Sequence, residues 1–148
     1  MHLSTLSFLV TYNSPTGIKI EQAYQLRMQT DLQKILGECI DGTKAAKLAG
    51  EIAAKASKYI AFAYIAEQFI EGSSKGLLKG LEKALLAGLE IKIGAVITEA
   101  IAATFGLPFL TSATASILIM VASKYIIEIL IKELSTVKYK NASKYTQK

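Results

Sequence analysis

The chain has 148 residues, enough to bury one hydrophobic core. Its single cysteine excludes an internal disulfide framework and a multi-cysteine metal site, and its single histidine argues against most forms of nucleophilic catalysis. We therefore expect no enzymatic activity and no cofactor. The net charge of +5 comes from 16 lysines against one arginine, which favours an anionic membrane over nucleic acid as a partner, although a generally solvated surface has the same composition.

We expect a single domain over residues 1–148. Residues 1–17 are predicted as an extended arm, because apolar and polar side chains alternate there before a turn at Pro15 and Gly17. Residues 18–71 are predicted as amphipathic helices. The first of these helices carries an apolar stripe at spacings of about three and four residues, and its members are expected in the core. They are Tyr24, Met28, Leu32, Ile35 and Cys39.

Lysines follow a helical period in the next two predicted helices. In the helix from Lys44 to Glu71, four lysines and Glu51 form a polar row opposite an apolar face. In a lysine-bearing helix over residues 74–90, lysines recur at every fourth position. Each row is either a solvated face or a contact surface for anionic lipid. The candidate lipid contacts are Lys44, Lys47, Lys55, Lys58, Lys75, Lys79 and Lys83.

The most unusual segment is residues 100–123, which contain no charged side chain. Because Gly106 and Pro108 would break a single helix, we predict a hydrophobic hairpin and last helix over residues 91–134. The basic tail, residues 135–148, is predicted to be frayed. The predicted membrane-inserting residues are Ile93, Ile97, Ile101, Phe105, Gly106, Pro108, Phe109, Leu110, Ile117, Leu118, Ile119 and Val121.

The two arms of this hairpin are apolar on every side, and such helices must be covered on every side. In water that takes about five or six neighbouring helices, and the chain supplies about three besides the hairpin, so the pattern favours a membrane, a partner or self-association. Glu99 is a candidate pH switch, because an ionised carboxylate at membrane depth costs about 2.5–3.5 kcal/mol. The alternative for Glu99 is a solvent-facing helix residue.

Three consecutive segments carry a resemblance to a known family. They read "ASKYIAFAYIAEQFIEG", then "SSKGLLKGLEKALLAGLEIK", then "IGAVITEAIAATFGLPFLTSATASILIMVASKYIIEILIKEL". Over about residues 57–134 this order resembles the C-terminal half of the pore-forming domain of colicins: an aromatic-rich helix, a lysine-bearing helix, a hydrophobic hairpin and a final helix. The resemblance implies an all-α bundle of five to six helices around a hydrophobic helical hairpin, shortened relative to that family.

The resemblance also implies a function. In colicins the hairpin enters the inner membrane of a competing bacterium, and an ion channel opens that dissipates the membrane potential. For this chain it implies an antimicrobial toxin that is soluble before insertion and is secreted or delivered to a target cell. There it would act on the anionic bilayer of the bacterial inner membrane, and an immunity partner is implied as well. Two alternatives stay open. One is a small phage or membrane assembly protein, holin-like or structural, whose hairpin mediates homo-oligomerisation; the other is a soluble helical scaffold.

Overall fold

The computed structural model describes residues 9–70 and 75–146, and the side chains of residues 9–67 and 80–134. This part of the chain contains no strand, and its long helices pack together, which confirms the predicted all-α bundle. The long helices are α1 (Pro15–Gly37), α2 (Gly42–Ile70), α3 (Lys75–Phe105) and α4 (Ala113–Thr146). A short 3-10 helix, Leu107–Thr111, joins α3 to α4.

The segment before α1 differs from the predicted extended arm. Residues 9–12 form a helical turn, so the prediction is wrong for them, while residues 1–8 lie outside the described residues. The Oγ of Ser14 caps α1 by accepting a hydrogen bond from the Gly17 amide at 3.3 Å, and Pro15 follows, where no helical hydrogen bond is lost. Gly17 is needed here because a Cβ would overlap the carbonyl oxygen of Tyr12.

Two helices are longer than predicted. The lysine-bearing helix and the first arm of the hairpin are one continuous helix, α3, because the junction at residues 90–91 contains neither a proline nor a capping residue. The backbone of α4 stays helical to Thr146, so the predicted fraying is wrong for residues 135–146. No glycine or proline interrupts α4.

The apolar stripe predicted on the first helix is confirmed at Tyr24, Met28 and Leu32, which are buried. Ile35 is half-buried, and Leu36 continues the buried stripe in its place. Cys39 is exposed, and the prediction that it belongs to the core is wrong. The reason is that α1 ends at Gly37, which leaves Cys39 in the connection to α2 rather than on the helix.

The helices are arranged with α2 and α4 at the centre. Each of these two contacts all the other long helices, whereas α1 and α3 do not touch in the described part of the chain. Fully buried alanines of α2 allow its neighbours to approach closely. They include Ala45, Ala49, Ala53, Ala56 and Ala61.

Candidate membrane-insertion hairpin

The predicted turn between the two apolar arms is present. α3 ends at Phe105, and Gly106 adopts φ 96°, a backbone conformation that favours glycine. The rings of Phe105 and Phe109 stack across the turn with centroids 4.2 Å apart. Ser112 then caps α4, since its Oγ accepts a hydrogen bond from the Ala115 amide at 3.1 Å. Because α3 and α4 also contact each other after this short connection, they form an antiparallel helical hairpin.

The predicted membrane-inserting residues do not share one environment in this fold. Four of them are fully buried: Ile93, Ile97, Ile101 and Leu118. Six are half-buried: Phe105, Gly106, Phe109, Leu110, Ile119 and Val121. Pro108 and Ile117 are exposed. The hairpin therefore contributes one side to the core and presents the other side to solvent.

The clearest feature of the hairpin is the exposure of α4. The span Ala113–Leu134 has 22 residues and a mean hydropathy of 1.8, which makes it the one helix in the described residues that is long and apolar enough to cross a membrane. Only 28% of its most apolar window is buried in the bundle. Ile117, Met120 and Ile131 are 46%, 61% and 47% exposed. A core helix of a water-soluble bundle would be covered much more completely.

The buried side of α4 follows a regular helical stripe. Its members are Ala115, Leu118, Ala122, Ile126, Leu130 and Leu134, at spacings of three and then four residues. The exposed apolar residues lie on the opposite side of the same helix, next to exposed Lys124 and Glu128. Thus α4 has an apolar side against the protein, while its solvent side combines exposed apolar side chains with charged ones.

The hairpin tip lies beside the start of α2. Leu107 at the tip is 72% exposed, and Pro108 is exposed next to it. The Nζ of Lys44, in the first turn of α2, is 5.6 Å from the centroid of the Phe105 ring, within the range of a cation–π contact. One candidate lipid-contacting lysine is therefore placed directly at the apolar tip.

The other candidate lysines are spread over the surface. Lys47, Lys58 and Lys83 are exposed and Lys55 is half-buried. Lys58 is about 21 Å from Lys44 along the axis of α2, and its Nζ is 5.1 Å from the ring of Tyr59. The side chains of Lys75 and Lys79 lie outside the described residues. The lysines thus form a row along α2 rather than one compact anion site.

Glu99, the candidate pH switch, is exposed on the solvent side of α3. Its neighbour Thr98 turns back to its own helix and donates a hydrogen bond to the carbonyl of Gly94 at 2.9 Å. In the folded bundle Glu99 is therefore solvated. A role as a switch concerns the inserted state and stays a prediction.

Sequence reasoning missed a group of polar residues that joins α1 to α4. The hydroxyl of Tyr125 donates a hydrogen bond to Oδ2 of Asp31 at 2.7 Å. The carboxylate of Glu133 interacts with the hydroxyl of Tyr24, and the Arg27 guanidinium lies 5.4 Å from the Tyr24 ring centroid. Burial, followed by the nearby Glu133 carboxylate, raises the pKa of Tyr24. No local sequence pattern could have paired residues so far apart in the chain.

Within the described residues, no group of three or more histidine, cysteine, aspartate or glutamate side chains is arranged to hold a metal ion. Comparison of the chain with protein-family models, with curated proteins and with solved structures gives no match.

Proposed function

We propose that this chain is a colicin-like pore-forming protein without enzymatic activity, which inserts its hydrophobic helical hairpin into a bacterial membrane, forms an ion channel and depolarises the cell. The observation that carries the proposal is the span Ala113–Leu134, which is long and apolar enough to cross a bilayer and has 28% of its most apolar window buried in the bundle. The resemblance in segment order to colicin pore domains supports the same function.

The energetics of the hairpin are compatible with transfer between water and lipid. Residues 100–123 contain nine Ile, Leu, Phe or Val side chains, which favour insertion by about 3–5 kcal/mol in total. Lipid would cover the exposed side of α4 and replace the apolar contacts on its buried side. Insertion therefore loses little apolar contact and gains cover for Ile117 and Met120.

Charges limit how deeply the hairpin can enter. The charge-free part of the second arm runs from Phe109 to Ser123, a length of about 22 Å, whereas a hydrocarbon core is about 30 Å thick. Lys124 would then lie near the entry side and reach the interface through its long side chain. On the first arm the charge-free part is much shorter, so Glu99 is the charge that enters first.

Electrostatic attraction gives the orientation of the first contact. Lys44 at the hairpin tip, with Lys47 one turn away, attracts an anionic leaflet, and each lysine near such a surface contributes about 1 kcal/mol. In this proposal the protein is soluble before insertion, is secreted or delivered to a target cell and acts at the bacterial inner membrane. The producing cell would then need an immunity partner.

A second candidate function has one observation in its favour. The exposed apolar side of α4, with Ile117, Met120 and Ile131, also fits a second copy of the chain. A small phage or membrane assembly protein, holin-like or structural, would use this side for homo-oligomerisation.

Release of an encapsulated dye from vesicles separates these functions. A pore former releases dye from vesicles that contain anionic lipid and releases less from neutral ones. An assembly protein associates with itself or with the vesicles without leakage. Absence of both leakage and association, measured over a range of protein-to-lipid ratios, would contradict both candidates and leave a soluble scaffold.

A further inference from the structure

Two tyrosine–carboxylate pairs connect α1 with α4 in opposite senses. In one pair the tyrosine belongs to α4, as Tyr125 donates to Asp31 of α1 at 2.7 Å. In the other the tyrosine belongs to α1, as Tyr24 faces Glu133 of α4. The pairs are about two turns apart on both helices, and higher numbers on α1 meet lower numbers on α4. The two helices therefore run antiparallel and are fixed in one register.

These pairs differ in kind from the buried apolar contacts of α4. The buried side chains of α4, in the part of the chain that the structure describes, form a stripe of alanine, leucine and isoleucine from Ala115 to Leu134. Hydrocarbon can replace apolar contacts of that kind, but it offers no hydrogen-bond partner to a hydroxyl or a carboxylate. Transfer of α4 from the bundle to a bilayer therefore costs little free energy at the apolar stripe and more at Tyr125 and Glu133, which lose their polar partners.

The position of the pairs also matters. Tyr125 lies about 18 Å and Glu133 about 30 Å from the start of α4 along the helix axis, so both pairs are in the middle part of this 34-residue helix, away from the hairpin tip. The tip end of α4 is held by α3 and the 3-10 helix instead. Entry of the tip into a membrane therefore pulls α4 against a polar attachment in the middle of the helix.

We propose that Tyr24, Asp31, Tyr125 and Glu133, with Arg27 over the Tyr24 ring, form a polar latch that keeps α4 in the soluble bundle, and that opening of this latch controls how fast the hairpin inserts. The inference rests on the proposed pore-forming function, which it deepens by assigning its regulation. Arg27 adds a positive charge close enough to act on both tyrosines of the latch.

The test removes both tyrosine hydroxyls and leaves the rings in place, in the variant Tyr24→Phe/Tyr125→Phe. Loss of hydrogen bonds to charged groups should speed dye release from anionic vesicles about tenfold. Thr98→Val is a matched control, because it removes a hydroxyl hydrogen bond of 2.9 Å that stays within α3. Ile52→Val is a second control that loosens the core at a fully buried position outside the latch.

The latch would be overturned if the double variant released dye at the same rate as the parent protein. It would also be overturned if Ile52→Val raised the rate of dye release as much as the double variant does. If the parent protein releases no dye, the proposed function is contradicted instead. The latch is then tested by hydrogen exchange of the protein in solution, without vesicles. There the amides of residues 113–134 should exchange hydrogen about tenfold faster in the double variant, relative to those of α3. Equal exchange in the two proteins would overturn the latch independently of any membrane.

Discussion

Neutralising Glu99 tests the proposal that the hairpin enters a membrane tip first. Glu99 lies on α3 about 10 Å from the tip along the helix axis, so insertion tip first carries it into hydrocarbon before any other charge. An ionised carboxylate there costs about 2.5–3.5 kcal/mol, which corresponds to about 70- to 400-fold in rate. Glu99→Gln keeps the size of the side chain and removes the charge, so it should insert faster near neutral pH by up to that factor.

The assay compares dye release by the parent protein and by Glu99→Gln at about pH 7 and about pH 5, where a carboxylate begins to bind protons. We expect a large difference near neutral pH that narrows in acid, since protonation of Glu99 has the same effect as the substitution. Glu90→Gln is the matched control, an exposed glutamate on the same helix about 22 Å from Phe105. Identical pH profiles for the parent protein and Glu99→Gln would refute the reasoning.

Three further predictions concern the surface and the core. Lys44→Gln/Lys47→Gln should weaken binding to anionic vesicles, measured by co-sedimentation, about 30-fold. Lys58→Gln is far from the tip and should have a smaller effect, and equal effects of the two changes would refute a role for the tip. Met120→Gln should change the free energy of unfolding by less than about 0.5 kcal/mol, yet slow dye release about tenfold, whereas Met120→Leu should leave release intact. The pKa of Tyr24 is raised in the folded state, so its contribution to the free energy of unfolding is complete below about pH 10 and is lost as the pH rises above that value. Tyr24→Phe should therefore reduce the slope of the unfolding free energy against pH, above about pH 10, by about 1.4 kcal/mol per pH unit. An unchanged slope in urea unfolding would contradict that assignment.

The parts of the fold that could be predicted from the sequence are those that local chemistry decides. Gly106 and Pro108 interrupt an otherwise helical run, and the turn occurs there. The four-residue repeat of Tyr24, Met28 and Leu32 places one side of α1 in the core. The start of α1 was misassigned because Ser14 followed by Pro15 suggests a turn, although the same pair is a favourable N-cap and first helical residue.

The parts of the candidate site that could not be predicted depend on tertiary packing. Periodicity indicates that the first half of α4 is apolar all round, but it does not tell which side the bundle covers. That outcome depends on how α1, α2 and α3 pack against α4. The latch is also invisible in the sequence, since Asp31 and Tyr125 carry no pattern that relates them until α1 and α4 lie side by side.

The exposed side of α4 and the charges of the hairpin set opposing free energies of similar size. Ile117 and Met120 are each about half exposed, and full cover by lipid would favour insertion by about 2–3 kcal/mol together. One ionised carboxylate at membrane depth opposes it by about 2.5–3.5 kcal/mol. Since the apolar contacts on the buried side of α4 are exchanged for lipid at little net change, neither state dominates on apolar grounds alone. In the proposed function, the charge at Glu99 and the polar latch therefore decide whether the hairpin stays in the bundle.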